Sequence, residues 1–277
     1  MKKFILNNGL ELPVMGFGTY KAESSNIILD AIKAGYEYFD TAEFYGTEKF
    51  IGQALTQNNI PREKIFIASK VWKTSMGYDE TLKAFERTLE NLQTNYLDVY
   101  MIHWPRPDLE SQDWKNLDLE TWRAMEDLYN QGKIKALGLS NFLPYHAENI
   151  INNCRVLPSI AQFEFHAGHT QTFALNYYRE KNILVQAWSP TGRGRVLKDE
   201  LIISLANKYH VSPVQICLSF ILAENVMSIP KSSSFERMRE NLDSQEIILD
   251  NDDILQLENM PPLGWGGEHP DRARIMI

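Results

Sequence analysis

Two cysteines, Cys154 and Cys217, are all the thiol in this 277-residue chain, and they lie far apart in it. They fit neither a disulfide framework nor a metal-ligand spacing, which points to a reducing compartment and no metal site. Long apolar runs are missing too. No stretch approaches the roughly 18 apolar residues that span a bilayer, and Asn7, Asn8 and Glu11 interrupt the start before a secretory core is complete. Positive charge is in deficit: 28 Lys plus Arg face 36 Asp plus Glu, a formal net charge of −8. That excludes a protein that coats nucleic acid, but a small anion needs only a few local cations. No Pro/Gly/Ser-rich linker or low-complexity stretch marks a domain boundary. The expectation is one domain over residues 1–277, soluble and cytoplasmic, with no nucleic-acid or membrane partner.

What is present is alternation. A hairpin is read around Asn8-Gly9, a dipeptide suited to tight turns with positive φ. Short apolar strands follow at Val14–Phe17, Tyr38–Asp40, Ile65–Ser69, Leu97–Ile102, Ala136–Leu139, Ile160–Phe163, Ile183–Ala187 and Met227–Ile229. Helical patterns separate them: Ser25–Ala34, Thr47–Gln57, Asp79–Leu92, Leu119–Gln131, Pro144–Ile151, Gln171–Glu180, Lys198–Ala223 in two pieces, and Ser234–Leu242. In Asp79–Leu92, for example, Leu82, Phe85, Leu89 and Leu92 share one face. Strict βα alternation means a parallel sheet. Eight units in a chain slightly above about 250 residues favour the closed (β/α)8 TIM barrel, an α/β fold, preceded here by an N-terminal β-hairpin. The competing doubly wound dinucleotide fold requires a glycine fingerprint, and the segment from Gly16 through Gly18 to Lys21 lacks its third glycine.

Active sites of such barrels lie at the C-terminal ends of the strands. Asp40, Lys70 and His103 end the second, third and fourth strands, and Tyr45 follows Asp40. Taken singly, a capping Asp, a solvated Lys and a structural His are the simpler explanations. Together at one rim they read as a site. Lys70 beside a phenol is expected to lower the Tyr45 pKa from about 10, Asp40 to hold the ammonium, and His103 to orient an oxygen.

At this point a family resemblance becomes specific. The segment Gly35 to Gly52, GYEYFDTAEFYGTEKFIG, resembles the first signature of the aldo-keto reductases. Ile67–Trp72 (IASKVW), Met101–Pro105 (MIHWP), Gly138–Phe142 (GLSNF), Gln162–His166 (QFEFH), Ala187–Pro190 (AWSP) and Ile229–Asn241 (IPKSSSFERMREN) follow in the family's order. The likeness is greatest to the prokaryotic short-chain branch, typified by 2,5-diketogluconate reductase. Glu37 and Thr47 depart from the signature, which usually has arginine and asparagine there. The segment Pro261–Ile277 is shorter than the substrate loop of mammalian members.

The resemblance implies Asp40, Tyr45, Lys70 and His103 as the catalytic set and NADPH/NADP+ as cofactor. It places Trp188 under the nicotinamide, with Ser140, Asn141 and Gln162 on the carboxamide. Gly18, Thr19, Tyr20 and Asp40 border the cofactor, and Ser189, Pro190, Thr191, Gly192 and Arg193 form a loop over the pyrophosphate. Lys231, Ser232, Ser233, Ser234 and Arg237 are assigned to the 2′-phosphate, with Glu240 and Asn241 near the adenine. Residue chemistry agrees at that last site, since serines and free amides at a helix start with two cations make an anion site. NADPH is therefore expected over NADH. Tyr20, Phe44, Trp72, His103 and Trp104 are expected to line the substrate pocket, an apolar wall suited to a small carbonyl compound; the long connection Arg106–Leu119 is read as part of its rim. The expected activity is reduction of aldehydes, ketones or dicarbonyls to alcohols with Tyr45 as proton donor, by a monomer. A catalytically weak nucleotide-binding regulatory barrel is the alternative. A phosphate-binding lyase or isomerase barrel with Lys70 as a Schiff-base residue would leave Tyr45, His103 and the Lys231–Asn241 segment unexplained.

Overall fold

The computed structural model describes residues 2–107 and 110–272. Its first element is a hairpin of β1 (Lys3–Ile5) and β2 (Glu11–Pro13), paired antiparallel. Eight parallel strands follow: β3 (Phe17–Gly18), β4 (Tyr38–Asp40), β5 (Phe66–Val71), β6 (Leu97–Ile102), β7 (Ile134–Ser140), β8 (Ile160–Glu164), β9 (Leu184–Trp188) and β10 (Met227–Ser228). Each pairs with its neighbour in sequence order. The ring closes where the Gly16 N–H donates to Ser228 O at 2.8 Å and the Gly18 N–H to Pro230 O at 3.0 Å. A Cβ on Gly18 would lie 2.9 Å from the Ile229 carbonyl, so this seam by itself requires glycine there.

The helices α1 (Ser25–Ala34), α2 (Glu48–Gln57), α3 (Tyr78–Leu92), α4 (Trp114–Asn130), α5 (Pro144–Ile151), α6 (Thr172–Glu180), α7 (Glu200–Tyr209), α8 (Pro213–Ala223) and α9 (Phe235–Asp243) pack outside the ring. Their apolar faces and the outward strand residues make one large core. Helix α7 stops at His210, in left-handed conformation, and α8 restarts at Ser212 with a capping box to Gln215, which divides the long pattern in two. Two differences from the sequence expectation have local causes. Helix α4 starts at Trp114 and not Leu119, because the polar first turn hides its register while Asp118 faces inward, fully buried. A tenth helix, α10 (Asn251–Glu258), was not expected: its acidic first turn and few buried residues, Asp253 and Leu257, carry little periodicity.

Inside the ring a second cluster joins Tyr38, Ala68, Val99, Met101, Ala136, Ile160 and Met227 to Leu6 and Leu12 of the hairpin. The hairpin therefore plugs the end of the barrel opposite the strand C-termini. Asn7 and Asn8 fasten it by donating side-chain N–H groups to the carbonyls of Pro158 and Lys135, both at 2.9 Å. The other end is left to carry polar groups. Both cysteines are free thiols, Cys217 buried. Among the described residues no helix is long and apolar enough to cross a membrane.

Candidate active site

Asp40 closes β4, and the chain then turns through a one-turn helix, Glu43–Tyr45, ended by Gly46 at φ 64°. That turn brings Tyr45 back over the strand ends. Strand β5 runs one residue past Lys70, so the lysine points from a rigid strand and not from a loop. Its Nζ lies 2.6 Å from Asp40 Oδ1 and 3.0 Å from the Thr41 carbonyl, and neither charged side chain has appreciable exposure. His103, just beyond β6, is 5% exposed, and its Nε2 stands 3.5 Å from the Tyr45 hydroxyl, the outer limit of a hydrogen bond. The four residues of the expected catalytic set converge as the strand-end argument requires.

The electrostatics correct one expectation. Lys70 does not pull the Tyr45 phenol below its ordinary range. Burial pushes it well above 10, and the Asp40 charge and Tyr20 push the same way. The Lys70 ammonium is turned to Asp40, 2.6 Å away, so burial and the Asp40 charge decide the direction of the phenol's shift. Burial also lowers the Lys70 ammonium, with Asp40 opposing. His103 is held well below the usual imidazole range by burial and by the charges of Lys70 and Lys73. At neutral pH the site thus presents a protonated phenol beside a neutral imidazole.

Aromatic rings wall this pair. Phe44 stacks on Trp72 with centroids 4.1 Å apart, Trp72 meets His103 edge-on at 5.0 Å, and Tyr20 lies 5.0 Å from Tyr45. Trp104 is buried, with the Lys73 ammonium 5.4 Å from its ring. Sequence reasoning missed what holds Trp72: Glu43 accepts the Trp72 backbone N–H at 2.9 Å and the Ser75 hydroxyl at 2.8 Å. A lone glutamate two residues before Tyr45 gives no signal of that.

Across the mouth, Trp188 ends β9. Its indole N–H donates to Asn141 Oδ1 at 2.8 Å, while Asn141 Nδ2 donates to the His103 carbonyl at 2.9 Å and to Ser140 Oγ at 3.1 Å. Asn141, at φ 63°, therefore ties Trp188 to the His103 strand end. Gln162 donates to Asp40 Oδ2 at 2.7 Å. Thr19 is buried, its hydroxyl shared with the Asp40 carbonyl and with Thr47, which also meets Thr41. This hydroxyl trio is what the threonine at position 47 does.

Ser189 (φ 49°), Pro190 and Thr191 lead into a one-turn helix, Gly192–Gly194, with the Arg193 guanidinium 6.0 Å from the Trp188 ring. Lys231 and Arg237 are exposed, and neither forms an ion pair among the described residues. Between them Ser232 Oγ accepts the Ser234 N–H at 3.1 Å and Ser234 caps α9. Ser233 is exposed, Glu240 half-buried and Asn241 buried on the inner side of α9.

The stretch 261–272 crosses the mouth. Gly266 donates to both oxygens of buried Glu164 at 2.9 and 3.0 Å, and Arg195 donates to the Gly264 carbonyl. Asp271 accepts from Arg106 at 3.2 Å and from the Tyr145 hydroxyl, with His146 Nε2 3.1 Å away. A cavity of about 320 Å³ lies beneath, bounded by Asn141, Phe163, Trp188, Trp265 and Pro270. Of the expected rim Arg106–Leu119, positions 108 and 109 fall outside the described residues, as do 273–277 of the final segment.

The residues present suit a dinucleotide phosphate. Two exposed cations flank a serine-capped helix start for an anion, and a half-buried indole is fixed at the mouth for a flat ring.

Comparisons with known proteins agree. The Aldo/keto reductase family model matches residues 14–260. Glyoxal reductase of Bacillus subtilis is 37% identical over 96% of this chain and 95% of its own. The 9,11-endoperoxide prostaglandin H2 reductase of Trypanosoma cruzi is 34% identical over 96% of this chain and 94% of its own. Among solved structures, a mutant of Gox0644 in complex with NADPH superposes with a TM-score of 0.91 at 32% identity, covering 99% of this chain and 98% of that one. These relatives do not carry the likeness down to diketogluconate reductase. With a family model spanning nearly all of the sequence, a matching barrel and the expected residues gathered at its mouth, the chain belongs to the aldo/keto reductase family.

Proposed function

We propose that this chain is an NADPH-dependent oxidoreductase that reduces small aldehydes, ketones or dicarbonyl compounds to alcohols. One observation carries the reading: a phenol kept protonated by burial stands beside a neutral imidazole and above a buried Lys70–Asp40 pair. NADPH, when bound, supplies the hydride. The residues of this chain do the rest. Tyr45 donates a proton to the carbonyl oxygen, and His103 orients that oxygen. The Lys70–Asp40 pair fixes the floor under Tyr45. Trp188 offers a ring face, Ser140 a hydroxyl donor and Gln162 a carbonyl acceptor to a carboxamide. Lys231 and Arg237 neutralise a phosphate at the start of α9. The Phe44–Trp72 stack gives the reacting side an apolar wall.

Glyoxal reductase as a relative supports small dicarbonyls within the substrate class. Loss of NADPH absorbance with a panel of aldehydes, ketones and α-dicarbonyls tests the reading; a wild-type chain that binds NADPH yet turns over none of them returns it to a nucleotide-binding regulatory barrel. The reading includes a single cytoplasmic barrel domain acting as a monomer, for which gel filtration at working concentration is the check.

A further inference from the structure

The Gln162 amide is held from two sides, by Asp40 at the site and by Gln186 beside it in the ring. Asp40, paired with Lys70, is a carboxylate and can only accept hydrogen bonds. The Gln162 atom 2.7 Å from its Oδ2 is therefore the nitrogen. The same nitrogen lies 2.5 Å from the Gln186 side chain, whose facing atom must then be its carbonyl oxygen. That leaves the Gln186 nitrogen toward Met227 Sδ at 3.1 Å. These three are lateral neighbours in the ladder, Gln162 opposite Gln186 and Gln186 opposite Met227, at one level of the ring. Gln162 is 2% exposed and Gln186 fully buried. Both hydrogens of the Gln162 nitrogen are thus taken, and its Oε1 forms no hydrogen bond among the described residues.

We propose that Gln186 is a positioning residue: by sharing the Gln162 nitrogen with Asp40, it presents Gln162 Oε1 as a fixed acceptor, so the site takes a pyridine carboxamide and rejects the pyridine carboxylate or methyl ketone. This rests on the NADPH reading above. A carboxamide brings an N–H to that oxygen. A methyl ketone brings none and leaves a buried acceptor unsatisfied, and a carboxylate sets negative charge against it.

The test is equilibrium binding, read by quenching of tryptophan fluorescence, of NADP+, its acetylpyridine analogue and its nicotinic acid analogue to the full chain. Wild type is expected to bind NADP+ at least about tenfold more tightly than either analogue, the factor one missing hydrogen bond commands. Gln186→Met, close to it in volume but without an acceptor, should lower that ratio severalfold through weaker NADP+ binding. Gln186→Glu keeps a carbonyl oxygen and should keep the ratio, which a merely space-filling role would not distinguish from the methionine variant. Should Gln186→Met not fold, Gln186→Asn, with its carbonyl drawn back by one methylene, carries the same expectation. A ratio unmoved in these variants overturns the proposal alone. A wild-type chain that binds none of the three overturns the cofactor reading and the proposal with it.

Discussion

The Lys70 ammonium faces Asp40, at 2.6 Å from its Oδ1, and both side chains are closed to solvent. Removing one partner of such a pair strands the other charge. Asp40→Asn and Lys70→Met are each expected to destabilise the fold by about 3–5 kcal/mol, and the double variant by less than the sum. Urea unfolding of the three variants checks this; additive losses would mean that the two charges do not act as a pair.

Among the described residues, the Tyr45 hydroxyl is the one that stands within hydrogen-bond reach of His103 Nε2. Tyr45→Phe should lower kcat by about 10²-fold or more, the usual scale for a lost general acid, while the NADPH dissociation constant stays near that of wild type. Normal kcat with aldehydes would move the proton-donor role elsewhere.

The pH profile follows from the two displaced groups. An imidazole held well below its usual range stays neutral down through pH 6, and a phenol held well above 10 stays protonated up through pH 9. Carbonyl reduction should therefore be flat in kcat/KM between about pH 6.5 and 9 and fall on the alkaline side. An inflection near the ordinary imidazole value would contradict the buried, neutral His103.

Lys231→Ala and Arg237→Ala remove the two exposed cations that flank the serine-capped start of α9. Each should weaken NADPH by about tenfold, as a lost charge-assisted hydrogen bond does, and leave NADH nearly unchanged. The loss should shrink at high salt. Equal losses for both coenzymes would place the phosphate elsewhere.

Asp118 offers a test away from the chemistry. Burial pushes its carboxyl up to about 8, with the Arg106 backbone N–H and charge opposing. The folded state therefore resists ionisation, and the site costs stability as pH rises from the unfolded value near 4 to about 8. Asp118→Asn should come nearest to wild type in melting temperature at about pH 4 and gain on it steadily up to about pH 8. A constant difference at both pH values would show that the carboxyl does not titrate in this range.

What could be read from the chain was what depends on strand ends. Asp40, Lys70 and His103 each follow a short apolar run, so a ring of strands brings them together whatever the details. The direction of the Tyr45 shift could not be read, because it turns on which way Lys70 faces. Gln186 gave no signal: a polar residue within a strand is ordinary until its neighbour across the ladder proves to be Gln162. Asp271 and its partners Arg106 and His146 are 165 and 125 positions apart and share no motif. Asp118 sat outside the expected start of its helix.

A barrel stoppered at one end has one door. With Leu6 and Leu12 filling the far end of the ring, whatever reaches Tyr45 enters and leaves past the same lip. The side chains that meet a ligand are therefore those of the mouth alone, and the hairpin settles this before any loop moves.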